Sequence, residues 1–245
     1  MADPQFDIVI IGSGPAGATT GRLAAQNGLK VLLLDKKQEL GAPIQCSGAI
    51  SRHAMEEVGV EPVDEFIHEA IYGFVIYNEK GEKKTIDYRE LAPEKYGTGE
   101  EKTPLGYVVD RRRFDRRLMT LAEREGVETW LKAEAKGYKV LPDGTCEVTV
   151  NHFNEVKTIR TKVVVGADGL QSIVGKWAGL RTQIRLTELA SCLQFVVDKV
   201  ETEGLLEIIT GHEWAPGGYA WVFPKGYGYA EIGLGVIPTF TEKNA

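Results

Sequence analysis

The sequence has few cysteines, no long hydrophobic run and no large block of basic residues. Its three cysteines, Cys46, Cys146 and Cys192, are too few and too scattered for a disulfide framework or a metal site, and they are typical of a reducing compartment. No apolar stretch approaches the roughly 18 to 20 residues of a membrane-spanning helix. The 245 residues carry a formal net charge of −6, which argues against a nucleic-acid-binding protein. We therefore expect a soluble, cytoplasmic protein.

Glycine is the one residue type that is unusually frequent. The chain contains 28 glycines, which is about 11% against an average of about 7%. They cluster near the N-terminus and again between Gly211 and Gly235. Glycine is favoured where the backbone must turn sharply or approach another group closely. Both regions are therefore candidate ligand-contacting segments.

The first 34 residues follow a strand–helix–strand pattern. A β-branched apolar run at residues 6–11 predicts a buried parallel strand. Residues 15–27 have apolar positions at helical spacing and are followed by Gly28, and residues 30–34 predict a second buried strand. From Ile71 onward, alternating residues and a turn at residues 78–81 predict a hairpin, and residues 90–103 a surface connection. Further helices are predicted at residues 50–58 and 110–125, and further strands at 127–131, 137–141, 146–150, 162–165, 193–197, 205–209, 219–223 and 229–236. The pattern indicates an α/β protein with an interleaved antiparallel portion.

The turn after the first strand reads Gly-Ser-Gly-Pro-Ala-Gly from Gly12 to Gly17 and opens the first helix. Gly12 permits the tight turn, Gly14 lets the backbone meet a pyrophosphate, and Gly17 lets the helix and strand pack closely. Asp35 ends the second strand, where it can accept hydrogen bonds from ribose hydroxyls. We therefore predict a dinucleotide site whose cofactor-binding residues are Gly12, Gly14, Ala16, Gly17 and Asp35.

A second glycine turn follows the strand at residues 162–165. It reads Gly-Ala-Asp-Gly-Leu-Gln-Ser from Gly166 to Ser172 and precedes another predicted helix. By itself this segment fits a simple strand-to-helix turn as well as a second ligand contact.

Together these motifs resemble the flavoprotein superfamily of aromatic hydroxylases and geranylgeranyl reductases. The resemblance implies a Rossmann-like FAD-binding domain of the glutathione-reductase and aromatic-hydroxylase type, with an interleaved antiparallel β-sheet substrate domain. It also implies that Asp168 and Gly169 lie by the FAD pyrophosphate and line the reductant path. The segment Asp-Arg-Arg-Arg-Phe-Asp at residues 110–115 resembles an element whose arginine contacts FAD, here Arg111, although a solvated helix start is the alternative. By the same alignment, the backbone of Ala135 contacts the adenine side.

The resemblance also divides the chain into domains. Residues 1–69 and 101–181 are expected to form the FAD-binding domain, and residues 70–100 and 182–245 the substrate domain. The family's third FAD motif, a Gly-Asp segment, is not found before the sequence stops at Ala245. We therefore expect a truncated chain whose substrate domain is incomplete.

Two further segments resemble geranylgeranyl reductases in particular. Residues 41–51 resemble a cysteine–glycine segment beside the isoalloxazine, which assigns Cys46, Ser47, Gly48 and Ala49 to the cofactor. Cys46 is the candidate catalytic residue, as proton donor or redox partner; the alternative is a small buried apolar side chain. Residues 216–226 match the motif PxxYxWxFP, and alternation places Tyr219, Trp221 and Phe223 on one side of a strand. They would bind substrate in the wall of a cavity for a long apolar chain, or else belong to a core strand with tight turns.

The resemblance implies a flavin-dependent reductase that hydrogenates C=C bonds of geranylgeranyl chains in membrane lipid precursors, of the archaeal type. Reduced FAD would deliver hydride from N5, with NAD(P)H or a ferredoxin as the electron donor. An isoprenoid lipid substrate implies transient contact with the membrane surface, so the location is cytoplasmic or peripheral at the membrane. Two alternatives are an FAD-dependent aromatic monooxygenase of the same fold and a truncated, non-catalytic flavin-binding module.

Overall fold

The computed structural model describes residues 4–43, 45–96 and 103–241. The strands of these residues are, in chain order, β1 (Phe6–Ile11), β2 (Val31–Leu34), β3 (Ala49–Ser51), β4 (Ile67–Ile71), β5 (Gly73–Tyr77), β6 (Lys83–Asp87), β7 (Gly106–Val109), β8 (Glu128–Trp130), β9 (Ala133–Val140), β10 (Cys146–His152), β11 (Glu155–Gly166), β12 (Ser191–Val197), β13 (Leu205–Ile209), β14 (Tyr219–Gly226) and β15 (Tyr229–Val236). The α-helices are α1 (Pro15–Gln26), α2 (Arg52–Glu57), α3 (Tyr88–Leu91), α4 (Pro93–Tyr96), α5 (Arg111–Arg124) and α6 (Ile173–Trp177). Short 3₁₀ helices lie at Gly169–Gln171, Leu186–Glu188 and Pro238–Phe240.

The chain forms two compact units, each made of two separate stretches. The first unit consists of Met1–Ile44 and Arg112–Gln183, and the second of Gln45–Arg111 and Ile184–Ala245. Within the described residues, no helix combines the length and the apolar character needed to cross a membrane.

The first unit is built on a mixed six-stranded sheet in the order β8-β2-β1-β11-β10-β9. β8, β2, β1 and β11 are parallel neighbours, whereas β10 and β9 extend the sheet antiparallel. The apolar runs of β1 and β2 are buried on both faces, as expected for central parallel strands. On one face, a Cβ added at Gly21 of α1 would lie 3.4 Å from Cδ1 of Ile10, so α1 packs closely on the sheet.

The second unit contains two sheets. The larger has the order β12-β15-β14-β13-β5-β6, in which only β13 and β5 pair in parallel. The smaller is an antiparallel sheet in the order β3-β7-β4. A small core cluster of this unit contains Ile71, Val108 and Leu206, with Phe74 and Phe223 packed against it. Residues from both sheets thus bury one another within the unit.

The element order confirms the predicted α/β class, including the strand–helix–strand start and the hairpin of β5 and β6. The helix predicted at residues 50–58 begins later, at Arg52, because Ile50 pairs with Tyr107 as β3 and the Ser51 hydroxyl caps the helix by accepting from Ala54 N. The predicted surface connection at residues 90–103 contains the end of α3 and all of α4. Its residues 97–102 lie outside the described part.

The boundaries of the two units differ from the predicted domains. Residues 45–69 and 103–111 were expected in the FAD-binding domain, but they belong to the second unit. The reason is strand pairing: β3 and β4 both bond to β7, and β4 and β7 lie against β14. The hydrophobic periodicity of the sequence does not predict these strand pairings, because the paired strands are far apart in the sequence.

The core of the first unit predicts a large effect of truncating Leu33, which is fully buried in the middle of β2. Leu33→Ala should lower the free energy of unfolding by about 2–5 kcal/mol, because it removes buried methyl groups and leaves a cavity. Leu180→Ala is the matched control, since Leu180 is 63% exposed and should change stability by about 0.5 kcal/mol or less. Urea denaturation of both variants measures the difference, and equal losses would contradict this assignment of the core.

Candidate functional site

Three turns of the first unit meet at the carboxyl ends of its parallel strands. β1 lies between β2 and β11, so the residues after these strands are neighbours. Gly12 N donates to Leu34 O at 2.8 Å, and Ala167 N donates to Ile11 O at 2.8 Å. Both glycine-containing motifs and Asp35 are thereby collected at one edge of the sheet, where ligands bind in open α/β folds.

The three glycines of the first turn have different surroundings. Gly12 has φ +110°, and a Cβ there would lie 2.2 Å from Ala167 O. A Cβ at Gly17 would lie 1.8 Å from Gly12 O, so neither position can hold a side chain. Apart from its two chain neighbours, a Cβ at Gly14 would meet no described protein atom within 4 Å, although Gly14 directly precedes α1. The backbone at Gly14 is therefore open to a ligand at a helix N-terminus, where an anion is favoured.

Asp35 is buried and holds the first glycine turn against the end of β2. Its Oδ2 accepts from both the backbone N–H, at 2.9 Å, and the hydroxyl of Ser13, while its Oδ1 accepts from Lys37 N at 2.8 Å. A carboxylate offers about four acceptor positions. Three protein donors therefore leave room for one further donor, and the predicted ribose contact of Asp35 stays a prediction.

Asp168 has a local structural partner as well. Its Oδ2 accepts from Val174 N at 3.0 Å, at the start of α6. Gly169 begins a 3₁₀ helix with φ +76°. The predicted strand–turn–helix context of the second motif is confirmed, and the carboxylate anchors the turn.

The three turns open into a cavity of about 310 Å³. Of the predicted cofactor-binding residues, it is lined by Gly12, Gly14, Asp35, Ala135, Asp168 and Gly169. The walls combine backbone N–H groups, three lysines (Lys36, Lys37 and Lys136) and several apolar side chains, which suits a ligand with both phosphates and flat rings. A larger open cleft of about 590 Å³ lies beside Phe6, Lys30 and Trp130. That cleft is at the amino end of β1, away from the glycine turns.

Other predicted residues lie elsewhere. Ala16 and Gly17 are in the first turn of α1 and do not line the cavity. Cys46, Ser47, Gly48, Ala49 and Arg111 belong to the second unit. Their predicted contacts with the cofactor stay predictions.

Sequence reasoning missed several residues of the cavity. Lys36 and Lys37 line it directly after Asp35, and Ile173 and Trp177 of α6 supply apolar wall. The lysines could have been found from the sequence, because they immediately follow the acid that ends β2. Ile173 and Trp177 depend on the direction of α6, and that direction is set by tertiary packing.

In the second unit, the residues of the aromatic motif share one face of β14, as predicted. The ring centroids of Tyr219 and Trp221 are 5.7 Å apart, and those of Trp221 and Phe223 are 6.2 Å apart. Trp221 is buried over Gly233, where an added Cβ would lie 2.1 Å from its ring. Its indole Nε1 has no hydrogen-bond partner among the described residues. Tyr219 is 46% exposed. This face of β14 therefore contains one buried ring, that of Trp221, and one accessible ring, that of Tyr219.

The three cysteines have different environments. Cys46 and Cys192 are exposed, whereas Cys146 is buried in β10. Burial raises the pKa of the Cys146 thiol above its ordinary value. Cys46 is thus not a small buried apolar side chain, the alternative that the sequence left open.

A family model described as an FAD binding domain matches residues 5–214. The chain belongs to this FAD-binding domain family. The prediction of FAD as the cofactor is confirmed by this membership. A second model, described as a geranylgeranyl reductase catalytic domain, matches residues 188–245, which include all of β12 to β15.

The chain is similar to two archaeal enzymes. It is 38% identical over 236 residues to the digeranylgeranylglycerophospholipid reductase of Picrophilus torridus, covering 95% of this chain and 56% of that one. It is 34% identical over 234 residues to digeranylgeranylglycerophospholipid reductase 1 of Methanococcoides burtonii, covering 95% and 55%. These similarities confirm the resemblance predicted from the motifs. The chain spans about half the length of the curated relatives it matches.

Solved structures show the same fold. A geranylgeranyl bacteriochlorophyll reductase-like protein from Thermoplasma acidophilum superposes with a TM-score of 0.86 at 30% identity, covering 97% of this chain and 58% of that one. The halogenase PltM in complex with phloroglucinol and FAD superposes with a TM-score of 0.71 at 18% identity, covering 98% and 53%. The second likeness concerns the fold alone.

The surroundings of Gly14 and Gly17 predict different effects when each is replaced by alanine: one substitution should weaken FAD binding and the other should lower the stability of the fold. Gly14→Ala should leave the free energy of unfolding within about 0.5 kcal/mol and weaken FAD binding about tenfold or more, because its methyl group would occupy space in which the pyrophosphate is predicted to bind. Gly17→Ala should destabilise the fold itself, because its methyl group would collide with Gly12 O. Fluorescence titration with FAD and urea denaturation measure the two effects. Equal behaviour of the two variants would contradict the geometry.

The cysteine environments predict selective alkylation of the native chain. Iodoacetamide should modify Cys46 and Cys192 and spare Cys146, because the reactive species is the thiolate and burial both raises the Cys146 pKa and limits access. Peptide mass spectrometry identifies the modified sites. Unfolding in urea serves as the control, since it should expose Cys146 to the reagent. Rapid alkylation of Cys146 in the native chain would argue against its placement in the core.

Proposed function

We propose that this chain is the flavin-binding part, with a portion of the substrate domain, of a reductase that hydrogenates C=C bonds in geranylgeranyl chains of membrane lipid precursors. The observation that carries the proposal is the match of residues 188–245 to a geranylgeranyl reductase catalytic domain. The first unit of the same chain contains the nucleotide cavity. The named relatives, which are reductases of digeranylgeranylglycerophospholipids, support the substrate class.

The cavity at the glycine turns would hold the dinucleotide part of FAD. Gly14 offers an unobstructed backbone at the N-terminus of α1 for the pyrophosphate, and Lys36 and Lys37 add positive charge nearby. Asp35 keeps Ser13 and the glycine turn in place through its hydrogen bonds. When bound, reduced FAD supplies the hydride for the reaction. Cys46 to Ala49 and Arg111 are retained as proposed flavin contacts on the family resemblance.

The aromatic face of β14 is the proposed contact for the isoprenoid chain. An isolated alkene is a poor hydride acceptor, so the protein must position it and exclude water. Tyr219, Trp221 and Phe223 present adjacent rings on one side of the strand, and rings of this kind bury apolar chains efficiently. The proton that completes the saturation would be held at the Cys46 thiol, which is exposed.

The remaining partners follow from the substrate. An isoprenoid lipid places the enzyme in transient contact with a membrane surface, and NAD(P)H or a ferredoxin would reduce the flavin. The catalytic-domain match favours the reductase over an aromatic monooxygenase, and the likeness to a halogenase at 18% identity concerns the fold alone.

The proposal is tested by retention of FAD and anaerobic turnover. The purified chain should keep visible flavin absorption through desalting, and with chemically reduced FAD it should add two hydrogens per double bond to a geranylgeranyl lipid, measured by mass spectrometry. Cys46→Ala should lower the rate about 100-fold or more if its thiol supplies the proton, while FAD binding persists.

Cys192→Ala is the matched control, because Cys192 is also an exposed cysteine of the second unit and should leave the rate unchanged. A chain that binds FAD but never reduces the lipid would support the non-catalytic alternative. NAD(P)H oxidation accelerated by an aromatic substrate in air would support the monooxygenase.

A further inference from the structure

The backbone that carries Cys46 is tied to the larger sheet of the second unit. Ser47, the next residue, is buried, and its hydroxyl donates to Oε1 of Gln194 on β12 at 2.9 Å. Cys46 itself is exposed. An accessible thiol thus lies beside an anchored residue.

The next residue, Gly48, is fixed to the smaller sheet. Its carbonyl accepts from Val109 N at 2.9 Å. Its φ is +87°, and an added Cβ would lie 2.3 Å from Val109 O. Backbone packing of this kind leaves little freedom, so the position of residues 46–48 depends on what holds Ser47 and Gly48 from each side.

Lys225 provides a third contact to this segment. Its Nζ lies 2.8 Å from Oε2 of Glu231 and donates to the carbonyl of Ser47 at 3.4 Å. The side chains of Lys225 and Glu231 are only 14% and 6% exposed. The ammonium group therefore connects a buried carboxylate of β15 to the backbone next to Cys46.

This ion pair is poorly explained as a source of stability. Removing two charges from water costs several kcal/mol per ion, and the cost is offset only when the remaining polar atoms are also satisfied. Oε1 of Glu231 has no hydrogen-bond partner among the described residues. A buried pair that is incompletely satisfied is better understood as fixing a particular geometry, and the geometry it touches is that of Ser47.

We infer that Lys225, held by Glu231, is a positioning residue that fixes the backbone of Ser47 and so determines where the Cys46 thiol is presented. Gln194 fixes the same residue through its side chain. The functional consequence, correct placement of Cys46 toward the flavin, rests on the proposed function. The role of Lys225 in fixing the position of residues 46–48 does not depend on the proposed function.

The first test measures the segment without any cofactor. The double variant Lys225→Met with Glu231→Gln removes both charges together, so that no unpaired charge is left buried. In hydrogen exchange, its Val109 amide should exchange about tenfold faster or more than in the native chain, because Gly48 is less firmly held. The Leu33 amide of the first unit is the reference and should not change.

Two single variants separate positioning from general loosening. Lys225→Arg keeps a cationic donor and should retain the protection of the Val109 amide. Glu231→Gln leaves the ammonium group able to donate to Ser47 and should retain most of it. Native protection of Val109 in the double variant, or equal loss in Lys225→Arg, would overturn the inference.

The second test uses FAD with iodoacetamide. FAD should slow alkylation of Cys46 but not of Cys192 in the native chain, and this protection should fall about threefold or more in the double variant while its FAD affinity is unchanged. If FAD fails to protect Cys46 in the native chain, the proposed flavin contact is wrong and the exchange experiment still decides the positioning role. If protection is equally strong in the double variant, Lys225 does not position Cys46.

Discussion

The backbones of the first unit approach one another so closely at Gly12, Gly17 and Ala167 that no side chain fits between them. This contact joins the end of β1 to the start of α1 and to the end of β11. Because the turn cannot move away, the N-terminus of α1 faces the cavity, and Asp35 can hold Ser13 through two hydrogen bonds. Every other feature of the nucleotide cavity, including its lysines and the wall from α6, is arranged around this contact.

The second unit uses a different kind of constraint. Its candidate chemistry lies on a short segment without the support of a long helix, so the segment is held through individual polar contacts. Ser47 is held by side chains from β12 and β14, and Gly48 by the backbone of β7. Polar contacts to a buried backbone are costly to leave unmade. Tight local geometry at Cys46 therefore depends on residues that are nearly 150 to 180 positions away in the sequence.

Local sequence patterns were sufficient to predict most of the fold of the first unit. The apolar run of β1, the glycines after it and the acid ending β2 are close together in sequence, and parallel strands bring their carboxyl ends together, so both the fold and most of the cavity could be predicted. The pairing of β3 and β4 with β7 could not, because it links distant stretches and moves residues 45–69 into the second unit. The contact between Lys225 and Ser47 has the same origin. The sequence around Lys225 and the sequence around Ser47 contain no feature that predicts this contact.

The fold of this chain does not by itself decide between chemistries. A halogenase at 18% identity superposes over 98% of the chain with a TM-score of 0.71, so the same fold occurs in proteins with different activities. The deciding residues must lie where the chain departs from the general FAD-binding pattern. Under the proposed function, those residues are the cysteine-bearing segment around Cys46 and the aromatic face of β14, and both belong to the second unit. The proposed activity would therefore depend on how firmly the second unit holds these two features, because the fold alone does not decide between chemistries.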